Sequence, residues 1–541
     1  MTKTRGQILF LITCAGLWLM MLVPRLQGYR IMDDAYMYVR YADHLLHHGE
    51  YSWNLGEGNV YGTTSVLYTL AIIPFRLICP QSASLTLVLS SFFWGLVSLA
   101  LMLQMVRRII PASPERFVWK MCFAVGLLTA SSPVLSRHFG TGMETTFVLC
   151  WGAFALMLLH RAFQSGALPR RAWIGGAFAG LAFWVRPDLM VFALGLPAVL
   201  FLYRAHRKTA LRWGVAAIAI SGLSVLASAL WLGSPVPLPF FAKNTDFYGA
   251  GITARYAGLS GYHMAMFISV HWPAALVLGM GVLMNVKRLR RRYGAGEWAV
   301  TAACLVFAAY YLFFVTPIMG NFQRFLYPLL PFVLWLSTRE WMRAMEELER
   351  HSPLRLNALS RNAQIVVAVL VVAFLGFYGY QGVMEAQPLK PNKTLLHFND
   401  LRLYRNDKND YWFKLDELAA LPEEVSIATT EVGMVAALNP GKRIVDLAGL
   451  NDPQVALRKA TIGQRLKQQP PDFIYLPHPD YDSMRNELLQ AEWFNGAYEV
   501  LDEQELEAQT GKKYWMGIAI LKSGKYAEQM SGWLGKTKPA K

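Results

Sequence analysis

Residues 84–106, SLTLVLSSFFWGLVSLALMLQMV, hold no charged side chain and run directly into Arg107 and Arg108. About 20 apolar residues in a helix cross the hydrocarbon of a bilayer, and Lys and Arg gather on the cytoplasmic side of such a crossing. The stretch therefore predicts a membrane span that ends in the cytoplasm. Comparable runs lie on either side, near 7–23, 117–135, 142–160, 172–186, 188–203, 212–232, 264–286, 298–318, 324–340 and 363–381. The run 66–79 (VLYTLAIIPFRLIC) is shorter and has Pro74 and Arg76 inside it, which suits a re-entrant or partial segment. About eleven crossings result. Composition agrees, with 54% hydrophobic and 16% charged positions over 541 residues, where soluble domains carry about 25% charged. This rules out a disordered chain and argues against an ordinary cytosolic enzyme.

Charge placement orients the spans. With the N-terminus in the cytoplasm, the inner segments hold 23 Lys and Arg and the outer segments ahead of residue 363 hold nine. Making 66–79 a full span would turn the later basic clusters outward, so the bias favours an odd number of crossings. The net charge of +16 is thus topological, and no nucleic-acid partner is expected. No small-residue cleavage site follows the first apolar run, which reads as a signal anchor. The expected layout is a polytopic α-helical membrane domain over 1–383, with its first outer loop at 25–65, and a soluble extracytoplasmic α/β domain over 384–541. In the latter, VSIATT, KRIVDL, DFIYL and YWMGIAIL read as strands. Cys14, Cys79, Cys122, Cys150 and Cys304 all lie in or beside apolar runs, so neither disulfides nor a Cys metal cluster is expected in the exported part.

Polar residues that hydropathy does not explain fall on the outer side. From Asp34 onward, Met37, Tyr38, Tyr41 and Leu45 share one helical face while Arg40, Asp43, His44 and His47 share the other. This predicts an amphipathic helix on the membrane surface, ended at Gly49. Helix capping accounts for one of the two carboxylates at its start, Asp33 and Asp34. A second at the lipid boundary is costly, and suits a general base or a ligand to a divalent cation such as Mg²⁺ or Ca²⁺, although no cofactor is required. Asp34 heads the helix and is the more readily pinned by it; Asp33 is the freer.

Four more clusters follow. Around His138, Thr141 and Glu144 have the spacing of a capping box. Arg186-Pro187-Asp188 suits an ion pair at a tight turn. The proline-rich stretch 233–243 ends on Lys243, and Arg324 begins a later span, where an interfacial arginine is common. Together, Arg137, Arg186, Lys243 and Arg324 beside outward-facing carboxylates suit an anionic lipid headgroup. A transporter would instead place polar residues near the midplane of interrupted helices, and mid-span positions here are mostly apolar.

The pattern D-D-A-Y-x-x-x-R-Y-A at 33–42, G-x-x-x-W-N-x-G-E at 49–57 and Y-G-T-T at 61–64 resembles the opening loop of bacterial arabinofuranosyltransferase-like membrane glycosyltransferases. These belong to the GT-C class that uses polyprenyl-phosphate sugars. The likeness continues through G-M-E-T at 142–145, R-P-D at 186–188, G-S-P-V-P at 233–237, F-F-A-K at 240–243 and I-V-D-L-A-G-L-N-D-P at 444–453. Where the family reads more like E-G-Y-T, this chain has Val60-Tyr61-Gly62-Thr63. Where it reads P-N-T-F-Y-A-K, this chain has Pro239-Phe240-Phe241-Ala242-Lys243. Those departures bear on the sugar more than on the reaction class.

The resemblance implies an inverting transfer from a polyprenyl-phosphate sugar, with arabinofuranose one option, to an envelope glycan, glycolipid or protein at the outer face of a bacterial inner membrane. Asp33 or Asp34 would be the base; Arg324, Lys243, Arg186 and His138 would hold the donor phosphate. Tyr38, Arg40, Tyr41, Trp53, Asn54, Glu57, Glu144 and Asp188 would contact substrate. The alternatives are a lipid or glycan transporter, and an oligosaccharide ligase or polymerase. The ligase or polymerase would carry a late outer loop rich in Arg and His and no C-terminal globular domain.

Overall fold

A computed structural model describes residues 31–109, 135, 138–164, 166–242, 259–271, 274–276, 278–279, 293–315, 323–351, 412–478 and 481–535. The expected spans at 7–23 and 363–381, the span 117–135 apart from Leu135, and part of 264–286 lie outside the described residues. Two compact units emerge: one from Ser91–Gly222 and Gly258–Leu395 with Met1–Arg30, the other from Ile31–Ser90, Leu223–Ala257 and Leu396–Lys541.

The first unit is helical. Among the described residues of the chain, four helices are long and apolar enough to cross a membrane: Ala83–Val106, Thr145–Ala162, Arg207–Trp231 and Ala295–Phe313. Val66–Ile78 and Pro187–Phe201 are shorter apolar helices. The outward face of Arg207–Trp231 is apolar, with Leu211, Val215, Ile218, Leu226 and Leu230 exposed, as lipid-facing helices require. Its inner side is met by a glycine stripe on Pro169–Gly180. A Cβ on Gly176 would lie 2.2 Å from the Trp213 carbonyl oxygen, and one on Gly180 would lie 2.6 Å from that of Ala217. Small residues four apart let two helix backbones approach this closely. Helix Met190–Phe201 packs along Ala295–Phe313, with Phe192 stacked at 4.2 Å on Phe332 and tilted at 5.1 Å against Phe307.

In the second unit, a five-stranded sheet has the order β2-β1-β3-β5-β4. Its strands are β1 (Ile427–Thr429), β2 (Ile444–Asp446), β3 (Phe473–Tyr475), β4 (Tyr498–Leu501) and β5 (Ile518–Leu521). Strands β2, β1 and β3 are parallel and buried throughout, which explains their unbroken apolar character. Strand β5 pairs antiparallel with β3 and with the edge strand β4. The four strands expected from sequence are present. Strand β4 escaped notice because it is an edge strand, only partly buried.

Helix Asp33–His48 also belongs to this second unit. Gly49 ends it in the left-handed region at φ 73°, its N–H bonded to the Leu45 carbonyl. The expectation that it lies on a membrane surface is corrected. Two residues of its polar face are as enclosed as the apolar one, with Arg40 4% and His44 3% exposed, while His47 near its end is exposed. One side packs on helix Val66–Ile78, where Tyr38 meets Tyr68 edge to face at 5.0 Å. The other side packs on helix Gly433–Leu438. The sheet domain supplies the polar partners that water would otherwise give.

Candidate functional site

The carboxylates of the opening loop are not equivalent. Asp33 accepts the Gly433 N–H on Oδ2 and the Met434 N–H on Oδ1, both at 2.7 Å. Asp33 therefore caps a helix, but one 400 residues away in sequence. Its own helix starts after Met32 with no side-chain cap. Gly433 permits the contact, since a Cβ there would lie 1.8 Å from the Asp33 carbonyl oxygen. Burial raises the Asp33 carboxyl to about 6, against the two N–H bonds that lower it, and the charge of Asp34 adds to the rise. The sequence reading had Asp34 pinned and Asp33 freer. The structure reverses it for Asp33, because a cross-chain partner invisible to local pattern holds both its oxygens.

Four residues expected to touch substrate are engaged by protein. Arg40 donates to Trp53 O at 2.5 Å, Asn54 Oδ1 at 3.1 Å, Lys442 O at 2.8 Å and Asn439 O at 3.2 Å, and lies 4.9 Å over the Trp53 ring. Burial lowers its pKa to about 10, which leaves it a cation at neutral pH. Trp53 Nε1 donates to Ile444 O at 2.9 Å. Asn54 extends the sheet edge with its amide, accepting from Ile444 N at 2.9 Å and donating to Ile444 O at 3.1 Å. Tyr41 donates to Asn451 Oδ1 at 2.9 Å, and Asn451 Nδ2 donates to Asp446 at 2.8 Å. Asp446 also takes the N–H groups of Ala448, Gly449 and Asn451. A Cβ on Gly62 would lie 2.1 Å from the Tyr41 hydroxyl and 2.2 Å from Asn451 Oδ1. These residues join the loop to the sheet. At the rim, Glu57 pairs with Arg443 at 2.8 Å, and the Tyr38 hydroxyl is 3.3 Å from Thr64 Oγ1.

The helical unit gathers a second polar cluster. Arg186 makes the fork expected of R-P-D: Nε donates to Asp188 Oδ1 at 2.8 Å and Nη2 to Oδ2 at 2.6 Å. Tyr311 donates to the same Oδ2 at 2.6 Å, and Arg186 also reaches Phe325 O at 3.2 Å. Glu144 Oε1 is 4.0 Å from Arg186 Nη1. The expected capping box is absent. Glu144 is the N-cap residue of Thr145–Ala162 without a side-chain cap, while Thr141 Oγ1 donates to His138 O and accepts from Met143 N. Arg324 is 4% exposed, with its guanidinium 5.0 Å over Phe325. Gln323 before it sits at φ 56°, a costly conformation for a non-glycine residue. His138 lies edge-on to Tyr327 at 4.5 Å, and His271 meets the same ring at 5.7 Å and Phe267 at 4.5 Å.

Tyr311, Tyr327 and His271 were missed from sequence. Hydropathy averages a tyrosine into an apolar run, but a histidine inside the run 264–286 was a readable signal. His271 is 3% exposed, and neither ring nitrogen has a hydrogen-bond partner in the structure. Lys243 and Arg137 lie outside the described residues. A cavity of about 280 Å³ elsewhere in the helical unit is lined by His160, His206, Glu297, Trp335 and Arg339 among others. None of the expected site residues lines it.

A divalent cation on the acidic pair is not supported by the donor set. Both oxygens of Asp33 face N–H donors, and among the described residues no group of three or more His, Cys, Asp or Glu is gathered as metal ligands.

Residues 409–519 match a family model described as a domain of unknown function (DUF8728). No curated protein sequence matches the chain. Solved structures do. ArnT from Cupriavidus metallidurans bound to undecaprenyl phosphate is similar with a TM-score of 0.55 at 11% identity, over 97% of this chain and 99% of that one. The apo state of the same protein gives 0.56 at 12% identity, over 96% and 98%. The Archaeoglobus fulgidus oligosaccharyltransferase tethered with an acceptor peptide is more distant, at 0.49 and 13% identity over 94% and 70%. The fold is GT-C-like, a membrane-embedded helical protein with a C-terminal α/β domain.

Proposed function

We propose that this chain is an inverting glycosyltransferase of a bacterial inner membrane. It moves a sugar, with arabinofuranose the option the opening-loop motifs favour, from a polyprenyl-phosphate donor to an envelope glycan, glycolipid or protein on the outer face. The observation that carries the reading is the buried polar cluster of the helical unit. Sequence-distant residues Glu144, Arg186, Asp188 and Tyr311 collect there, Arg324 shares the Phe325 ring with Arg186, and buried His271 lies against Tyr327, inside an otherwise apolar bundle. Ionisable groups in such surroundings are costly and mark the path of a charged ligand. The fold shared with ArnT, solved bound to undecaprenyl phosphate, supports a lipid phosphate as that ligand.

In the reaction, the acceptor hydroxyl oxygen attacks the anomeric carbon. The bond from that carbon to the phosphate oxygen breaks, and its electron pair leaves with the polyprenyl phosphate. The hydroxyl proton passes to a carboxylate. Asp34 takes this role, because both oxygens of Asp33 already accept backbone N–H groups. A phosphate leaves without a general acid, and cationic donors lower the barrier by meeting its developing charge. Arg324 and Lys243 supply that charge. Arg186, already paired with Asp188, shapes the cluster, while His138 and His271 lend hydrogen bonds.

The test is mass spectrometry of envelope glycans and glycolipids from cells producing wild type, Asp33→Asn or Asp34→Asn, with membrane insertion checked in each. Loss of one sugar increment in Asp34→Asn is expected, and the missing mass names the sugar. Unchanged glycans in both variants overturn the reading and favour transport.

A further inference from the structure

The enclosed contact between the opening loop and the sheet domain has a chemical consequence. In parallel sheets, the crevice beyond the carboxyl ends of the strands, where strand order reverses, is the usual ligand position. Strand β1 marks that reversal here, lying between β2 and β3. The residues that follow it, Gly433 and Met434, turn their N–H groups onto Asp33. The chain's own carboxylate thus occupies the place where such a domain would hold an anion. Gly433 admits no side chain there, because the Asp33 carbonyl oxygen would lie 1.8 Å from its Cβ. About two helical turns further on, the same helix is held again by two adjacent residues. Tyr41 reaches Asn451, and Arg40 grips the backbone of Asn439 and Lys442. The three attachments fix the helix along its length and about its axis.

We propose that the sheet domain positions the catalytic carboxylate: Asp33, clamped by the Gly433 and Met434 amides, is a positioning residue that sets the place and direction of Asp34. This rests on Asp34 being the base, as proposed above. Holding a general base within a few tenths of an ångström of its working geometry governs turnover more than ligand affinity. Disturbing the clamp should therefore lower transfer and leave lipid-phosphate binding intact.

The experiment uses the full-length protein in lipid nanodiscs. Hydrogen exchange reads the protection of helix Asp33–His48 and of the 433–438 amides, titration with undecaprenyl phosphate reads binding, and glycan mass spectrometry of the producing cells reads transfer. In Gly433→Ala, protection of both segments should fall, transfer should fall about tenfold or more, and undecaprenyl phosphate affinity should stay within about twofold. Asp33→Asn, which turns one accepting oxygen into a donor facing an N–H, should do the same and serves if Gly433→Ala fails to insert. Protection lost with full transfer overturns the positioning role, as does transfer lost with protection intact. Asp34→Asn separates the two readings: its protection should stay at the wild-type level while transfer disappears. Full transfer in Asp34→Asn refutes the base assignment, whereas the exchange data from Gly433→Ala still decide whether the clamp exists.

Discussion

Arg40 and His271 are buried to nearly the same degree, at 4% and 3% exposure, yet their surroundings differ in kind. Arg40 sits in a shell of carbonyl and amide oxygens supplied by its own loop and by the sheet domain. His271 sits among rings, with both nitrogens lacking a hydrogen-bond partner in the structure. A buried polar group with its partners in place holds a fold together. One without them loses stability unless a ligand repays the desolvation. The loop–sheet contact has its polar partners in place, and the helical cluster is the site proposed for the donor phosphate.

Several substitutions can break that contrast. The largest effect is expected of Arg40→Ala, which removes a charged donor from four buried acceptors and opens a gap beside Trp53. It should destabilise the second unit by roughly 3–5 kcal/mol, read as a lowered unfolding midpoint and faster proteolysis of the 412–535 region. His271→Phe should leave the midpoint within about 1 kcal/mol, because no hydrogen bond is lost. It should also weaken undecaprenyl phosphate binding about tenfold, the worth of one hydrogen bond to a charged group. If His271→Phe destabilises as much as Arg40→Ala, the distinction fails. Gly62→Ala tests the same contact by overpacking, with an expected loss of about 1–3 kcal/mol as the new methyl meets Tyr41 and Asn451.

A pH series sharpens the account of Asp33. Its carboxyl titrates near 6 in the folded protein, above the ordinary value of 3.8. Between those two pH values the folded state binds more proton than the unfolded one, so this group's contribution to stability falls as pH rises from about 4 to about 6 and is level above. The unfolding midpoint of wild type should therefore decline relative to Asp33→Asn across that interval, and a rise would contradict the burial argument. The smallest expected difference concerns two threonines that look alike in sequence. Thr461→Ala removes a formed capping box with Gln464 and should cost about 1 kcal/mol. Thr141→Ala, where no box forms, should cost less than about 0.5 kcal/mol, both read by thermal unfolding.

Much of this architecture was legible because its causes are local. An uncharged run such as 84–106 is a long apolar helix under any packing. Gly49 ends its helix because the left-handed turn excludes other residues, and Arg186 finds Asp188 because two residues at a proline turn cannot easily avoid each other. Strands β1, β2, β3 and β5 were readable from buried apolar runs bounded by turn residues. Thr141 and Glu144 misled because spacing alone matches a capping box, while the helix starts three residues later, at Thr145, and Glu144 lies 4.0 Å from Arg186.

What no local pattern contains is the partner of a buried polar group. Asp33 could be read as a cap but not as the cap of Gly433–Leu438, and the amphipathic spacing of Arg40 and His44 could not distinguish water from a sheet domain as the medium around them. Hydropathy and turn chemistry act over a few residues, so sequence determines which segments are helices and strands and which of them prefer lipid. Hydrogen-bond satisfaction in a buried site is shared among segments hundreds of residues apart. Only the tertiary structure, by bringing residues 33 and 433 to 2.7 Å, decides what holds Asp33.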